Sequence, residues 1–166
     1  KRIYERWIGD GNSSEAVDVR SVLDHGQTDR RFEVELEFGI PAYGKSMRNR
    51  LLIFKPAILS RRETHPYVDE RRTLPIRISP DLLEEEALIY IPIGFSVDDY
   101  EELIEIDADF AYYRAEIELI EDRLIYKRTL KFEDSTVMAE DYSKVRAFYR
   151  AIVEADQTPV VLVRTP

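Results

Sequence analysis

The order of patterns between Glu84 and Arg164 constrains this chain most. Ala87–Ile91 (ALIYI) is a short apolar run stopped by Pro92 and Gly94. Phe110–Phe132 (FAYYRAEIELIEDRLIYKRTLKF) alternates apolar and polar residues on both sides of Glu121-Asp122-Arg123, which predicts a β-hairpin. Asp141–Asp156 (DYSKVRAFYRAIVEAD) changes period: Tyr142, Val145, Phe148, Tyr149 and Ile152 recur at three- and four-residue spacing, as one face of a helix requires. Val160–Val163 is long enough for a closing strand and too short for an ordinary helix. Strand, hairpin, helix and strand in that order define a way to build a core rather than a reaction.

The hairpin fixes faces as well as strands. Tyr113, Ala115, Ile117 and Leu119 share one side of Ala111–Leu119. On Leu124–Phe132 the row Leu124, Tyr126, Arg128, Leu130 includes a guanidinium among apolar residues, so its facing is open from the pattern alone. Asp141 stands where a side chain can cap the helix and oppose its N-terminal dipole. Burial of each large apolar side chain contributes about 1.5–3 kcal/mol.

Upstream, Arg31–Phe38 (RFEVELEF) has the cleanest alternation. Phe32, Val34, Leu36 and Phe38 share one face, opposite Glu33, Glu35 and Glu37, so the sheet has one solvated side. Lys1–Ile8 and Ala16–Leu23 read as strands joined by the glycine-bearing turn Gly9–Ser14. Arg50–Phe54 and Thr73–Ile78 are further extended segments; Pro75 suits an edge or a strand start. Ser60–Glu70 is polar and irregular, and Asp98–Asp109, with seven acids, reads as a solvated connector. The expected fold is mainly β, with β-sandwich-like antiparallel sheets and one amphipathic helix near the C-terminus. Residues 1–166 are read as a single β-rich domain with an internal subdivision near 60–72.

Composition narrows the function classes. A formal net charge of −9 argues against a general nucleic-acid surface or an anionic membrane surface. The chain contains no cysteine, which removes disulfides, thiolate zinc sites and a cysteine nucleophile from these residues. No apolar run approaches the roughly 20 residues of a membrane-spanning helix. The sequence begins at Lys1 without a signal peptide and is read as a fragment of a longer or processed protein.

Chemistry-bearing residues are few. Asp10, Asn12 and Ser14 alternate like the first ligands of a calcium loop, but Glu15 replaces the glycine such a loop needs, and Ser21 stands where a bidentate glutamate belongs. An ordinary turn explains them. Asp98, Asp99, Glu101, Glu102, Glu105, Asp107 and Asp109 could steer a basic partner, bind divalent ions weakly or supply a carboxylate pair for glycoside hydrolysis, but the pattern supplies no cleft. His25 and His65 lie in separate polar loops with no metal-ligand spacing around them. Arg71 and Arg72 follow Asp69 and Glu70, and cross-strand ion pairs are expected there ahead of an anion site. Tyr67, Tyr90, Tyr100, Tyr112, Tyr113, Tyr142 and Tyr149 suit a tyrosine-rich core, with any exposed members available to a protein interface. No catalytic, cofactor-binding or metal residue is assigned.

Several words, taken in order, resemble a known family. They are Ile91-Pro92-Ile93-Gly94-Phe95, then Tyr113, then Ile125-Tyr126-Lys127-Arg128-Thr129-Leu130. Tyr142, Phe148 and Ile152 follow, then Ala155-Asp156 and Val160-Val161-Leu162, while Arg71-Arg72-Thr73-Leu74-Pro75-Ile76 resembles the lead-in. Glu84–Arg164 thus resembles a bacterial C-terminal accessory domain of unknown function found after transglutaminase-like catalytic cores. It departs at Asp98–Glu102, where a second leucine-proline element is expected. The resemblance implies a β-rich module in a parent protein, commonly exported, whose upstream core carries cysteine, histidine and aspartate. The expected role is a non-catalytic accessory or interaction module whose partner is that upstream domain or another protein, with no nucleic acid and no membrane insertion. Alternatives are a stand-alone carbohydrate- or protein-binding β-module and, third, a carboxylate-based hydrolase.

Overall fold

The computed structural model describes residues 16–23, 26, 32–40 and 43–165. The chain divides into two units, Lys1–Tyr43 and Gly44–Pro166. In the first, β1 (Ala16–Leu23) pairs antiparallel with β2 (Glu33–Gly39), with a register shift between Val19 and Ser21. The alternation of β2 is kept: Val34, Leu36 and Phe38 are half-buried, and Glu33, Glu35 and Glu37 are exposed. Arg20 reaches Asp18 at 3.1 Å and donates from Nε to Glu37 at 2.9 Å. The expected strand at 1–8 and the turn at 9–14 lie outside the described residues.

The second unit has ten strands, in three sheets, and one α-helix among its described residues. β3 (Lys45–Met47), β4 (Leu51–Phe54), β7 (Phe95–Asp99) and β12 (Val160–Arg164) form an antiparallel sheet in the order β3-β4-β12-β7. β6 (Asp81–Tyr90), β8 (Leu103–Ala108), β9 (Ala111–Ile120) and β10 (Arg123–Phe132) form a second, in the order β6-β10-β9-β8. β5 (Ile76–Ile78) pairs with β11 (Ser135–Val137). A 3₁₀ turn at Ala139–Asp141 leads into α1 (Tyr142–Asp156). The expected class, mainly β with antiparallel sheets and a helix near the C-terminus, is observed.

The β9–β10 hairpin supplies one wall of the core. Tyr113 faces Leu130, Ala115 faces Arg128 and Ile117 faces Tyr126. All six are buried. α1 presents Tyr142, Val145, Phe148 and Ile152 to the interior, and Phe148 meets Phe110 and Phe132 edge-on at 5.5 and 6.1 Å. Gly94 has φ +84 in the turn where Phe95 N–H donates to Pro92 O at 3.1 Å, and a positive φ there favours glycine. Gly44 is also constrained, because an added Cβ would lie 2.6 Å from Leu52 Cδ1.

Three expectations are corrected. The acidic stretch 98–109 is not a connector; it finishes β7 and forms β8. In β8 the period of two puts Glu105 and Asp107 in solvent and turns Ile104 and Ile106 toward Ala115 and Tyr113 on β9. Burial of the apolar half is compatible with acids on the other half, so composition was a poor guide there. The apolar run at 87–91 is the end of a longer strand that starts at Asp81. Asp141 occupies the N-cap position but makes no side-chain cap bond. Its carboxylate instead pairs with Lys144 Nζ at 2.9 Å.

Candidate functional site

Two arrangements of polar side chains stand out in the second unit. The first is buried. The β10 alternation carries Arg128 inward, and the β6 register places Glu85 opposite it. The small side chain of Ala115 on the other neighbour leaves room for the guanidinium. The last turn of α1 adds Asp156. Arg128 is 3% exposed, Glu85 6% and Asp156 1%, so the cluster is closed to solvent.

Nearly every polar atom in this cluster has a protein partner. Arg128 Nη1 donates to Asp156 Oδ1 at 2.8 Å, and the Tyr113 hydroxyl donates to the same oxygen at 2.9 Å. Asp156 Oδ2 accepts from Arg62 N–H at 2.8 Å. Glu85 Oε1 accepts from Leu59 N–H at 2.8 Å and Ile58 N–H at 3.2 Å. Arg128 Nη2 donates to Leu59 O and lies 2.7 Å from Glu85 Oε2, an ion-pair contact not aligned as a hydrogen bond. Gln157 Nε2 donates to Arg62 O at 2.9 Å, and Lys55 Nζ donates to Gln157 Oε1. The cluster therefore fastens the irregular 55–62 segment to β6, β10 and the end of α1.

Burial and pairing oppose each other here. Burial raises the Glu85 carboxyl above the usual carboxylate range, while Arg128 and the two backbone N–H groups act against the rise. Burial disfavours the charged Arg128, but Glu85 and Asp156 outweigh it and hold the guanidinium protonated. Burial also raises the phenols of Tyr113 and Tyr126, which keep their protons at neutral pH. Two carboxylates and a phenol suggest acid–base chemistry by residue type, but catalysis needs a group within reach of a substrate proton. These groups face one another and the backbone.

The second arrangement is an open cleft of about 340 Å³. Its walls include Arg62, Tyr67, Arg77, Phe132, Tyr149 and the Ile78–Asp81 turn. The Arg62 guanidinium carbon stands 5.8 Å from the Tyr149 ring centroid, a cation–π distance. Tyr67 meets Tyr149 edge-on at 4.8 Å, and Phe132 stacks on Tyr149 at 5.6 Å. Arg77 is largely exposed and approaches Asp134 at 3.7 Å. Burial chiefly, helped by Tyr67, pushes the Tyr149 phenol up to about 12 against the pull of Arg62. Arg62 joins the two arrangements: its backbone is held by Asp156 and Gln157, and its side chain reaches the cleft.

The residues singled out in the sequence are dispersed. Asp10, Asn12, Ser14, Glu15 and His25 lie outside the described residues. Ser21 is in β1 and donates to Glu35 at 3.2 Å. His65 is half-buried in the irregular segment, and no group of three or more metal-ligating side chains is found among the described residues. Of the acidic stretch, Glu105 is engaged by Arg114 at 2.6 Å and by the Tyr112 hydroxyl at 3.0 Å. Asp69, Glu70, Arg71 and Arg72 are all exposed, and the expected cross-strand ion pairs do not form because no strand runs there. Tyr113 and Tyr142 are core residues, Tyr67 and Tyr149 line the cleft, and Tyr90 is 66% exposed. Sequence reasoning missed Glu85, Asp156, Arg62 and Arg77. Glu85 carried a usable signal, since it is in phase with Leu83, Ala87 and Ile89. Arg62 and Arg77 carried none.

The second unit is thus a β-rich module with a closed ionic core and one shallow arginine- and tyrosine-lined cleft. The chain belongs to the family described as a domain of unknown function with a solved structure, DUF3858, which matches residues 49–162. A crystal structure of a "putative protease" from Parabacteroides distasonis ATCC 8503 has a similar fold, with a TM-score of 0.57 at 15% identity. The similarity covers 70% of this chain and 24% of that one, so this chain spans about a quarter of the longer protein. No curated protein matches. Among the described residues, no helix is long and apolar enough to cross a membrane.

Proposed function

We propose that the chain is a non-catalytic accessory or interaction module, the C-terminal part of a larger bacterial transglutaminase-like protein. The closed ionic core carries this reading. The residues best suited to acid–base work, Glu85, Asp156, Arg128 and Tyr113, are spent on one another and on the backbone of 58–62. The recurrence of the fold as a minor part of a longer chain is consistent with a module serving a separate core. The transglutaminase-like association rests on the order of sequence words from Ile91 to Leu162.

The test is turnover by the chain alone. Peptide hydrolysis and glutamine–lysine transamidation assays are expected to give only the uncatalysed background, for the wild type and for Glu85→Gln alike. Turnover by the wild type that disappears in a folded Glu85→Gln or Asp156→Asn variant would reverse the assignment. A second reading, a protein-binding module, is favoured by the cleft.

A further inference from the structure

We propose that the cleft beside Tyr149 is a binding site for a monoanionic carboxylate carried on an aromatic or apolar body, such as a peptide C-terminus. The inference does not depend on whether the chain serves an upstream catalytic core. It begins with Arg62. Its guanidinium lies over the Tyr149 ring and has no carboxylate partner among the described residues. Arg62 is half-buried, and a cation near the surface normally gains little from one particular geometry. This one is held by its main chain, through bonds to Asp156 Oδ2 and Gln157 Nε2, so its starting point is fixed before any ligand arrives. A planar guanidinium presents paired donors that match a carboxylate.

The rest of the cleft defines what the carboxylate should be attached to. Tyr67, Phe132 and Tyr149 form a continuous aromatic wall, with centroids 4.8 Å apart for the first and last and 5.6 Å for the second and last. The Tyr149 hydroxyl, pushed up to about 12, stays protonated at neutral pH and is hydrogen-bonded to Tyr67. Arg77 supplies a second cation, which approaches exposed Asp134 at 3.7 Å. A space of about 340 Å³ is at the lower end of ligand pockets and suits one aromatic residue rather than an extended glycan. Asp81 also lines the cleft, within electrostatic reach of the Tyr149 phenol. With two guanidiniums and one carboxylate the lining is net positive and accommodates an anion, and the aromatic wall favours a carboxylate on an apolar body over inorganic phosphate, which has none to bury.

The probe is N-acetyl-phenylalanine, followed by backbone amide NMR shifts. Saturable shifts at Asp81 and Tyr149 are expected, with a Kd of about 1 mM. The uncharged amide of the same compound should bind at least about tenfold more weakly, as should the acid with Arg62→Gln. Inorganic phosphate should also bind more weakly than the acid. Thermal unfolding of Arg62→Gln, whose backbone bonds are unchanged, separates lost binding from lost fold. If that variant is unfolded, Arg77→Gln and Tyr149→Phe provide the same comparison. Among carboxylates, tighter binding of acetylated alanyl-alanyl-phenylalanine than of 3-phenylpropanoate assigns the site to chain termini; equal binding assigns it to small free acids. Equal affinity for acid and amide, an unaffected folded Arg62→Gln, or no saturable shift at about ten times the expected Kd overturns the proposal.

Discussion

Arg128 and Arg62 are both arginines beside tyrosines, yet they do opposite things. Arg128 sits at 3% exposure between two carboxylates and bonds to a backbone carbonyl. Arg62 is fixed by its backbone and leaves its guanidinium over a ring at the edge of a cleft. Residue type is the same, so availability decides the role. A buried charge whose partners are all protein groups works as a fastener. A fixed charge with unused donors beside an aromatic wall is equipped to receive a ligand.

The largest test of this contrast is Arg128→Met. It leaves Glu85 and Asp156 buried without their counter-charge, and breaking a buried pair in this way costs about 3–5 kcal/mol. Urea unfolding should show that loss, whereas Arg62→Gln should cost about 1 kcal/mol or less, the scale of a partly exposed cation–π contact. Similar losses for the two variants would erase the distinction. Phe148→Ala provides a calibration with no charge involved. It removes a ring packed between Phe110 and Phe132 and should cost about 3–5 kcal/mol by the same measurement.

The pH dependence sharpens the comparison from the Glu85 side. Its folded-state pKa is raised above the ordinary 4.5, with burial as the largest cause. The folded state therefore holds the proton more tightly than the unfolded chain between those two values. The stability contributed by that proton is fully present below pH 4.5 and is lost as pH rises through the raised value. Urea midpoints measured across this range should fall more for the wild type than for Glu85→Gln. Parallel pH profiles would mean that Glu85 is not under net desolvation stress. The smallest effect is expected at Glu121, in the hairpin turn at φ 55. Glycine there relieves backbone strain but adds unfolded-state entropy, so Glu121→Gly should change stability by no more than about 1 kcal/mol. Thermal unfolding checks it.

How far the sequence could be read follows the same physics. The hairpin and α1 were legible because each has a strict period and buries one face, and β12 because its apolar run is too short for an ordinary helix. The Arg128 position was legible as an anomaly, a guanidinium in an apolar row, but its partners were not. Glu85 was hidden by exposed Glu84 and Glu86, although its phase with Leu83 and Ala87 turns it inward. Asp156 looked like an ordinary polar helix end. The 98–109 stretch was misread because its acid content was weighed above the alternation that makes β8. The cleft could not be found by pattern. Arg62 and Tyr67 lie in irregular chain, and their placement follows from long-range bonds to Asp156 and Gln157, 94 and 95 residues away from Arg62. Periodicity carries no information about such contacts.

The buried charges fasten the 58–62 segment through Glu85 and Asp156. Hydrogen exchange at the amides of Ile58, Leu59 and Arg62 tests it most directly, in wild type, Glu85→Ala and Asp156→Ala. Faster exchange is expected at Ile58 and Leu59 in the first variant and at Arg62 in the second, with β9–β10 amides still protected. Unchanged protection at all three amides in folded variants would contradict it.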